Sequence, residues 1–268
     1  MENQEQVFTF SIKKAELSSF SELFKRTWQI YKERFWTFLG IMVIPFLFFL
    51  FAGLSSLFLK FSDWIIALVI FLLIISFIFL IWAEVALLYA IKDRELKIGI
   101  KESFKKAKSK ILSYIWISFL TGFIVLGGVF LLLIPGIIFS LWFSLSLYIL
   151  VAEDQKGFSA LWRSKQLVKG YWWPVFWRFL LIGLIFGGIG LLLGLISGDN
   201  FFLKIVYEIF IILTIPFNFT FYFLIYEELK KIKEGIPFEA PETKTKLGFI
   251  LIGILGFLFI PVTFLLLF

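Results

Sequence analysis

The sequence contains no cysteine and no histidine. Without cysteine there is neither a disulfide nor a thiolate nucleophile, and without histidine there is no imidazole base and little prospect of a transition-metal site. Charge is scarce as well: 17% of the residues are charged, against about 25% in soluble domains. These shortages remove the usual components of most enzyme mechanisms. They predict a non-enzymatic protein with no catalytic residues, no cofactor and no metal.

Apolar residues are abundant instead. They make up 60% of the 268 residues, and the mean hydropathy is +0.96. A helix needs about 20 apolar residues to cross the hydrocarbon of a bilayer, and several runs exceed this length. The fold class predicted is therefore an all-α integral membrane protein with six transmembrane helices in three hairpins. The predicted spans are residues 36–59, 64–91, 111–134, 137–152, 175–197 and 201–226.

The run from residue 111 to residue 152 contains no charge. As one helix it would be about twice as long as the membrane is thick. It must therefore turn back, and the pair Pro135 and Gly136 predicts where, since proline lacks an N–H and glycine tolerates turn dihedrals.

The remaining segments complete the organisation of the chain. Residues 1–15 are expected to form an N-terminal tail, and residues 16–230 the multi-pass membrane domain. A polar loop is predicted at 231–246, and a seventh, C-terminal span at 247–268. The start of the chain has no apolar core of signal-peptide length, so cleavage is not expected.

Lysine and arginine alternate between the connections. Four segments carry 24 of the 26 basic residues, namely the N-terminal segment, 92–110, 156–178 and 230–246, and the alternate connections hold only Lys60 and Lys204. Basic loops stay on the cytoplasmic side of a membrane. The pattern predicts a cytoplasmic (plasma) membrane protein with its N-terminus inside. The net charge of +7 is explained by this topology, and nucleic acid is not an expected partner.

Three cytoplasmic segments have the apolar periodicity of amphipathic helices that run into a span. We expect their apolar faces to lie in the headgroup plane. The stripes are Phe24, Trp28, Tyr31 and Phe35; Ile100, Phe104, Ala107 and Ile111; and Phe158, Leu161, Val168 and Trp172, with Lys165 interrupting the last. The candidate lipid-facing basic residues are Lys105, Lys106, Lys108, Arg163 and Lys169.

The three segments also suggest an internal repeat. Aligning Phe24, Phe104 and Trp162 brings basic residues into register, followed by tryptophans. The aligned basic residues are Lys25, Lys105 and Arg163, and the aligned tryptophans are Trp36, Trp116 and Trp173. Each unit holds two spans, so the hypothesis is a parallel threefold repeat about the membrane normal.

Candidate polar membrane positions are Glu84, Glu208, Asn218 and Tyr222. Ionisable groups inside spans are candidates for binding or proton handling, although both acids lie near a span end and an interfacial role is the alternative. Pro216 breaks the helix before the polar residues and suggests a cavity. Ser140 and Ser144 are interpreted as interhelical contacts, and the glycines at 183, 187, 190 and 194 as helix-packing positions.

The stretch "LLLIPGIIFSLWFSLSLYILVAEDQKGFSALWRSKQLVKGYWW" resembles the glycerophosphoryl diester phosphodiesterase membrane domain family and related multi-pass proteins of bacteria and archaea. The opening "SFSELFKRTWQIYKERFWTFLGI" is similar to the start of that family. The matching residues are Pro135, Gly136, Ile137, Glu153, Ala160, Leu161, Arg163, Ser164, Leu167, Val168, Lys169 and Gly170. The resemblance implies a six-span membrane part without the hydrolase barrel, so no hydrolase activity is carried over.

The sequence predicts a prokaryotic membrane protein that serves membrane organisation, lipid interaction or the support of a partner. The expected partners are the lipid bilayer, with anionic lipid in particular, and a membrane protein or a second copy of the chain. The alternative left open is a transporter or permease for a lipid-like or small solute, for which the repeat and Pro216 are the motive.

Overall fold

The computed structural model describes residues 16–56, 64–198, 200–235 and 237–267. The predicted tail at 1–15 and the connection at 57–63 lie outside the described residues. All regular structure in the described part is helical, which confirms the all-α prediction. The helices are α1 Phe20–Ser56, α2 Trp64–Lys92, α3 Ile100–Ala107, α4 Ile111–Leu131, α5 Leu133–Phe143, α6 Ser146–Glu153, α7 Phe158–Val168, α8 Trp172–Ser197, α9 Phe201–Ile232 and α10 Thr243–Leu267, with a 3-10 turn Lys108–Lys110 before α4.

Six helical segments are long and apolar enough to cross a membrane, which confirms the multi-pass prediction. The segments are Phe20–Ala52, Trp64–Lys92, Ile100–Leu131, Leu133–Glu153, Trp172–Ser197 and Phe202–Ile232. Consecutive spans pack as hairpins, α1 with α2, α4 with α5 and α8 with α9. The first and last spans also meet, because α1 packs along α9.

The reversal in the middle of the chain lies earlier than predicted. Leu132 has extended backbone angles, φ −162° and ψ 138°, and separates α4 from α5. Pro135 and Gly136 lie inside the first turn and a half of α5, not in a turn. Proline is tolerated there because the first N–H groups of a helix have no intrahelical acceptor. Gly136 instead allows a close approach, since a Cβ at this position would lie 2.3 Å from Cγ2 of Val129.

The predicted fourth span is two helices. The break between α5 and α6 lies at Ser144 and Leu145, and the N–H of Leu145 donates to the hydroxyl of Ser164 in α7 (3.1 Å). The hydroxyls of Ser140 and Ser144 donate to carbonyls of their own helix, at Ile137 and Leu141. Their interpretation as interhelical contacts was therefore wrong, and Ser164 is the serine that joins two helices.

Most of the buried core lies in one half of the bundle. In α2, residues 64–75 include no buried position, whereas residues 85–91 are all buried. In α9, residues 202–211 include no buried position, and the core begins at Ile212. We call the core-bearing half the basic half, and its tip the basic end, because it holds the basic connections 92–110 and 154–171 and the end of α9.

The amphipathic segments turn their apolar stripes towards the protein, not towards headgroups. Phe24 and Tyr31 of α1 pack on Phe217 of α9, and Phe104 of α3 packs on Trp82 of α2. Similarly, α7 packs on α5, α6 and α9, with Leu161 and Val168 buried. The expectation of stripes in the headgroup plane was wrong for these faces, since apolar periodicity does not distinguish lipid from protein as the covering partner.

The C-terminal helix α10 lies beside α4 through small residues. A Cβ on Gly256 would lie 2.1 Å from the carbonyl oxygen of Gly127, and a Cβ on Gly127 would lie 2.5 Å from Cα of Gly253. Only glycine allows backbones this close. The predicted α8 glycines are less engaged: Gly183 and Gly187 have no neighbour within 4 Å, and Gly190 and Gly194 only graze α9. The seventh span at 247–268 stays a prediction.

Candidate functional site: a polar network at the basic end

Arginine and lysine have different places at the basic end. Each of the five arginines donates to another segment of the protein or to its own helix, and none is fully exposed. Most of the lysines of this end are exposed. The planar guanidinium group suits fixed hydrogen bonds, whereas the ammonium group is strongly hydrated. The arginines therefore bind the bundle together, and the lysines give the end its outward charge.

Glu153, at the end of α6, is the centre of one cluster. It accepts from Nε of Arg163 (3.2 Å) and from the hydroxyl of Tyr226 (2.8 Å), and Nζ of Lys230 lies 3.4 Å away. The side chains of Glu153 and Arg163 are only 13% and 10% exposed. Arg163 is therefore inside the protein, which corrects its prediction as a lipid-facing residue. Its charge is offset by Glu153.

Two further ion pairs join α9 to other parts of the bundle. Arg94 forms a two-pronged pair with Glu227, both distances being 3.0 Å. Arg26 of α1 pairs with Glu228 of α9, which also accepts from the N–H of Ser18 (3.0 Å). Paired guanidinium and carboxylate groups of this geometry are strong and directional. They fix the relative position of α1, α9 and the α2–α3 connection.

A second polar cluster lies about one helical turn further from the basic end than the Glu153 cluster. The hydroxyl of Tyr114 donates to Glu84 at 2.8 Å. Tyr148 of α6 is buried, and its ring packs on Phe219 and Phe223 of α9. Of the predicted polar positions, Glu84 is therefore the one with a hydrogen-bond partner in this cluster, whereas the ring of Tyr222 packs on Phe179 of α8 (4.5 Å). At about 1.5 Å per residue, Glu84 lies roughly 12 Å along α2 from Lys92.

The other two predicted polar positions do not join this cluster. Glu208 is exposed on α9 in the opposite half, and Asn218 is half-buried one turn before Tyr222. The hydroxyl of Tyr31 donates to the carbonyl of Leu213 (3.0 Å), three residues before Pro216. Proline removes the donor to the carbonyl four residues earlier, here that of Ile212. The Tyr31 bond therefore reaches the next carbonyl of the same turn and joins α1 to α9 beside Pro216.

An apolar groove lies beside Pro216. It has a volume of about 510 Å³ and is lined chiefly by rings, including Phe24, Trp28, Tyr31, Phe186 and Phe217. Asn218, Thr220 and Tyr222 do not line it. Thr220 is buried and donates to the carbonyl of Pro216. Asn218, Thr220 and Tyr222 therefore fit a role in helix packing better than the lining of a polar cavity.

The predicted basic surface residues divide into two groups. Lys105, Lys108 and Lys169 are exposed. Lys106 is half-buried and pairs with Asp93 (2.8 Å) and Glu102 (3.5 Å). Lys106 therefore holds α3 to the end of α2, and its charge is compensated within the protein.

Lys165, which interrupts the third stripe, lies in a cage of aromatic rings. Its Nζ is 4.3 Å from the centroid of Trp142, 4.5 Å from that of Trp162 and 5.4 Å from that of Phe249. Burial, together with the nearby Lys169, lowers the pKa of the Lys165 ammonium. The faces of the rings attract the cation. The cage joins α5, α7 and α10, so it holds the C-terminal helix to the bundle.

An exposed ion pair lies beside the Glu153 cluster. Nζ of Lys110 pairs with Asp154, and this hydrogen bond lowers the pKa of the Asp154 carboxyl. Asp154 has a left-handed backbone, φ 57°, just after α6. Among the described residues no group of three or more acidic side chains has the arrangement of a metal site.

The sequence analysis missed Tyr114 and Tyr226 as hydrogen-bond partners of Glu84 and Glu153. One signal was available, because these tyrosines lie within a few residues of the basic ends of their spans, where a hydroxyl can reach a partner. Arg34 was also missed. It is 8% exposed, and it donates to the carbonyl of Ile98. Its place among the basic residues of α1 gave no sign that it is buried.

Comparisons of the chain with protein-family models, with curated proteins and with solved structures gave no significant match. The resemblance to the glycerophosphoryl diester phosphodiesterase membrane domain family accordingly stays a prediction. By its own features the chain is a helical protein with six candidate membrane spans and a polar network in its basic half.

Proposed function

We propose that this protein is a non-enzymatic multi-pass protein of a prokaryotic cytoplasmic membrane that binds anionic lipid at its basic end, and in this way organises lipid or supports a partner. The N-terminus and the basic end lie on the cytoplasmic side in this proposal. The related proposal for its ancestry is that it belongs with the membrane part of the family it resembles, without the hydrolase barrel.

The observation that carries the proposal is the lysine face of α3, which we define as Lys101 and Lys105 of the helix together with Lys108 of the 3-10 turn that continues it. These residues are four and three positions apart and so lie on one face of the helix. All three are exposed, and no carboxylate of the described residues pairs with them. The opposite face of α3 is fixed to the protein by Phe104 and Ala107. An uncompensated, rigidly presented row of cations suits an anionic surface.

Exposed tryptophans support a lipid interface at the same level. Trp36, Trp116 and Trp173 are 79%, 51% and 60% exposed, and each lies near the basic end of a span. Tryptophan is enriched where hydrocarbon meets headgroups. The three tryptophans occupy equivalent places in the hypothetical repeat. The aligned basic residues do not share one environment, since Lys25 and Lys105 are exposed whereas Arg163 is buried. The repeat therefore stays a prediction.

The test is a comparison of lipid selectivity in reconstituted protein. Spin-labelled phosphatidylglycerol and spin-labelled phosphatidylcholine are added to vesicles containing the wild type or the triple variant Lys101→Gln, Lys105→Gln, Lys108→Gln. Each lysine near an anionic surface contributes about 1 kcal/mol. The preference for phosphatidylglycerol, read from the immobilised component of the spectrum, is expected to fall several-fold in the variant.

Two controls give the test its meaning. The triple lysine-to-arginine variant keeps the charge and is expected to keep the preference. Salt should weaken the wild-type preference, because exposed charges are screened within about 10 Å at 0.1 M. Equal selectivity of the wild type and the glutamine variant would exclude the lysine face as the lipid site.

A transporter is the second candidate, and the Glu84 cluster is the observation that favours it. A carboxyl group inside a span with a tyrosine donor is a possible carrier of protons. Proteoliposomes loaded with a pH-sensitive dye test this. Proton movement in the wild type that is lost in Glu84→Gln supports a proton-coupled transporter. An unchanged dye signal after an imposed pH step argues against proton coupling.

A further inference from the structure

A charged cavity lies between α1, the α2–α3 connection and α9. Its volume is about 490 Å³, and its charged lining residues are Arg26, Arg34, Arg94, Lys97, Glu33 and Glu95. Glu95 is 89% exposed and lies 3.9 Å from Nε of Arg94. Ligand pockets commonly have volumes of about 300–1,000 Å³. The cavity is thus large enough for a phosphate group with part of the molecule that carries it.

The charges around the cavity are not equally compensated. Arg26 pairs with Glu228, and Arg94 pairs with Glu227. Glu33 and Lys97 are exposed, so water screens their charges. Arg34 differs from all of these, because it is buried and pairs with no carboxylate of the described residues. A buried charge without a counter-ion is costly to a folded protein.

Arg34 also has an unused hydrogen-bond donor. One terminal nitrogen donates to the carbonyl of Ile98, but the buried Nε has no partner in the described structure. Arg178 gives the contrast, because its guanidinium donates to the carbonyls of Leu17, Ser18 and Pro174. Buried polar groups are nearly always hydrogen-bonded, so an unpartnered one is costly. Nε is enclosed by protein, so a ligand in the cavity compensates Arg34 through the charge of its guanidinium group and not through a bond to Nε.

The chemistry of the ligand follows from the charges that line the cavity. We propose that this cavity, lined by Arg34, Lys97, Arg26 and Arg94, binds a phosphate group. A phosphate supplies the counter-charge that Arg34 lacks, and its several oxygens can accept from guanidinium and ammonium groups together. Trp36, two residues after Arg34, is 79% exposed. Arg34 therefore lies near the level at which lipid phosphates are found, and a lipid headgroup and a soluble phosphate are both sources of this chemistry.

The site is independent of the lysine face of α3. Lys101, Lys105 and Lys108 do not line the cavity. The triple glutamine variant that tests the proposed function leaves Arg34 and Lys97 in place, so failure of one proposal is distinguishable from failure of the other.

The experiment measures thermal stabilisation of the full chain in detergent, since a ligand that binds the folded state raises Tm. One arm uses sodium phosphate against sodium chloride at equal ionic strength. The other uses dihexanoyl phosphatidic acid against dihexanoyl glycerol. Stabilisation by both probes indicates that phosphate alone suffices, and stabilisation by the lipid alone indicates a lipid headgroup. Stabilisation by neither overturns the proposal.

Variants connect the stabilisation to the cavity. Arg34→Gln should weaken binding about tenfold or more, because it removes a charged donor, and Arg34→Lys should retain part of it. Lys97 has a left-handed backbone, φ 50°, so Lys97→Asn changes the charge at a residue type that tolerates this conformation. The matched control is Lys101→Gln, an exposed lysine outside the cavity.

The expected result is weaker binding in Lys97→Asn and unchanged binding in Lys101→Gln. If Arg34→Gln does not fold, the binding measured for Arg34→Lys and Lys97→Asn tests the proposal. Wild-type affinity in both of them overturns the proposal, and so does equal weakening in Lys97→Asn and Lys101→Gln, which indicates an effect of overall charge.

Discussion

The basic half and the opposite half of the bundle are held together by different forces. In the basic half, the spans have buried cores at residues 85–91 and 217–229 and are joined by pairs such as Arg94 with Glu227. In the opposite half, residues 64–75 of α2 and most of residues 184–196 of α8 face outward. Lipid tails are as apolar as leucine, so apolar side chains alone do not drive helices together within a membrane.

The comparison teaches where such a bundle gains its specificity. Directed polar contacts near the water boundary fix the basic half, where ion pairs and tyrosine hydroxyls have defined partners. The opposite half relies on close contact between backbones at small residues, as between Gly127 and Gly256. Four changes test this contrast, beginning with the largest expected effect.

Removing the centre of the Glu153 cluster should have the largest effect. Glu153→Gln leaves the buried Arg163 without a counter-charge, and breaking a buried pair from one side costs about 3–5 kcal/mol. We expect a large fall in the thermal unfolding midpoint in detergent. Asp154→Asn, at the adjacent exposed carboxyl, is the control and should change little. Equal unfolding midpoints for Glu153→Gln and Asp154→Asn would show that Glu153 is not the central residue of its cluster.

Crowding the contact between Gly127 and Gly256 should have the second-largest effect. Gly256→Leu forces a side chain against the backbone at Gly127, and overpacking costs about 1–3 kcal/mol. The chain has no native cysteine, so a disulfide between cysteines introduced in α4 and α10 can report their contact. We expect cross-linking to fall in Gly256→Leu and to persist in Gly187→Leu, where no neighbour lies within 4 Å. Persistent cross-linking in both would show that α10 is held elsewhere.

Replacing one tyrosine by phenylalanine in each half compares the two halves directly. Tyr114→Phe removes the donor to Glu84, and hydrogen bonds of this kind within membranes contribute about 0.6 kcal/mol, rarely more than 1.7. Tyr207→Phe, in the opposite half, is the matched change. The unfolding midpoint should fall more for Tyr114→Phe. The reverse order would contradict the assignment of the polar contacts to the basic half.

The smallest effect is a dependence on pH at the Asp154–Lys110 pair. The pKa of Asp154 is lower in the folded protein than in the unfolded chain, where an aspartate has a pKa of about 3.9. The pair therefore stabilises the fold fully above the unfolded pKa, and this contribution is lost as the pH falls through the folded value. The difference in midpoint between the wild type and Asp154→Asn should shrink on acidification. A constant difference would contradict the pairing.

The sequence predicted the coarse fold because its cause is simple. Charge-free runs longer than the membrane is thick must form spans, and short connections make neighbouring spans hairpins. The exact reversal was wrong because it depends on Leu132, an ordinary residue in an extended conformation. Pro135 attracted the prediction, although a proline is equally acceptable in the first turn of a helix.

The site was harder to predict, because side chains of one chemistry have different surroundings. Arg163 and Lys105 both occur in basic amphipathic segments, but one is buried against Glu153 and the other is exposed. Glu84 and Tyr222 were found because polar groups are rare in spans. The partner of Glu84, Tyr114, depends on how α4 meets α2, and no local pattern contains that information.

The contact between α1 and α9 also sets an order of assembly. The first span to leave the ribosome has its main ion pair, Arg26 with Glu228, about 200 residues later in the chain. Until α9 enters the membrane, the aromatic stripe of α1 can contact only lipid, the spans made between α1 and α9 or an insertion factor. The bundle thus closes late during biosynthesis, and a ribosome stalled between α8 and α9 should hold an open intermediate in which α1 is still accessible.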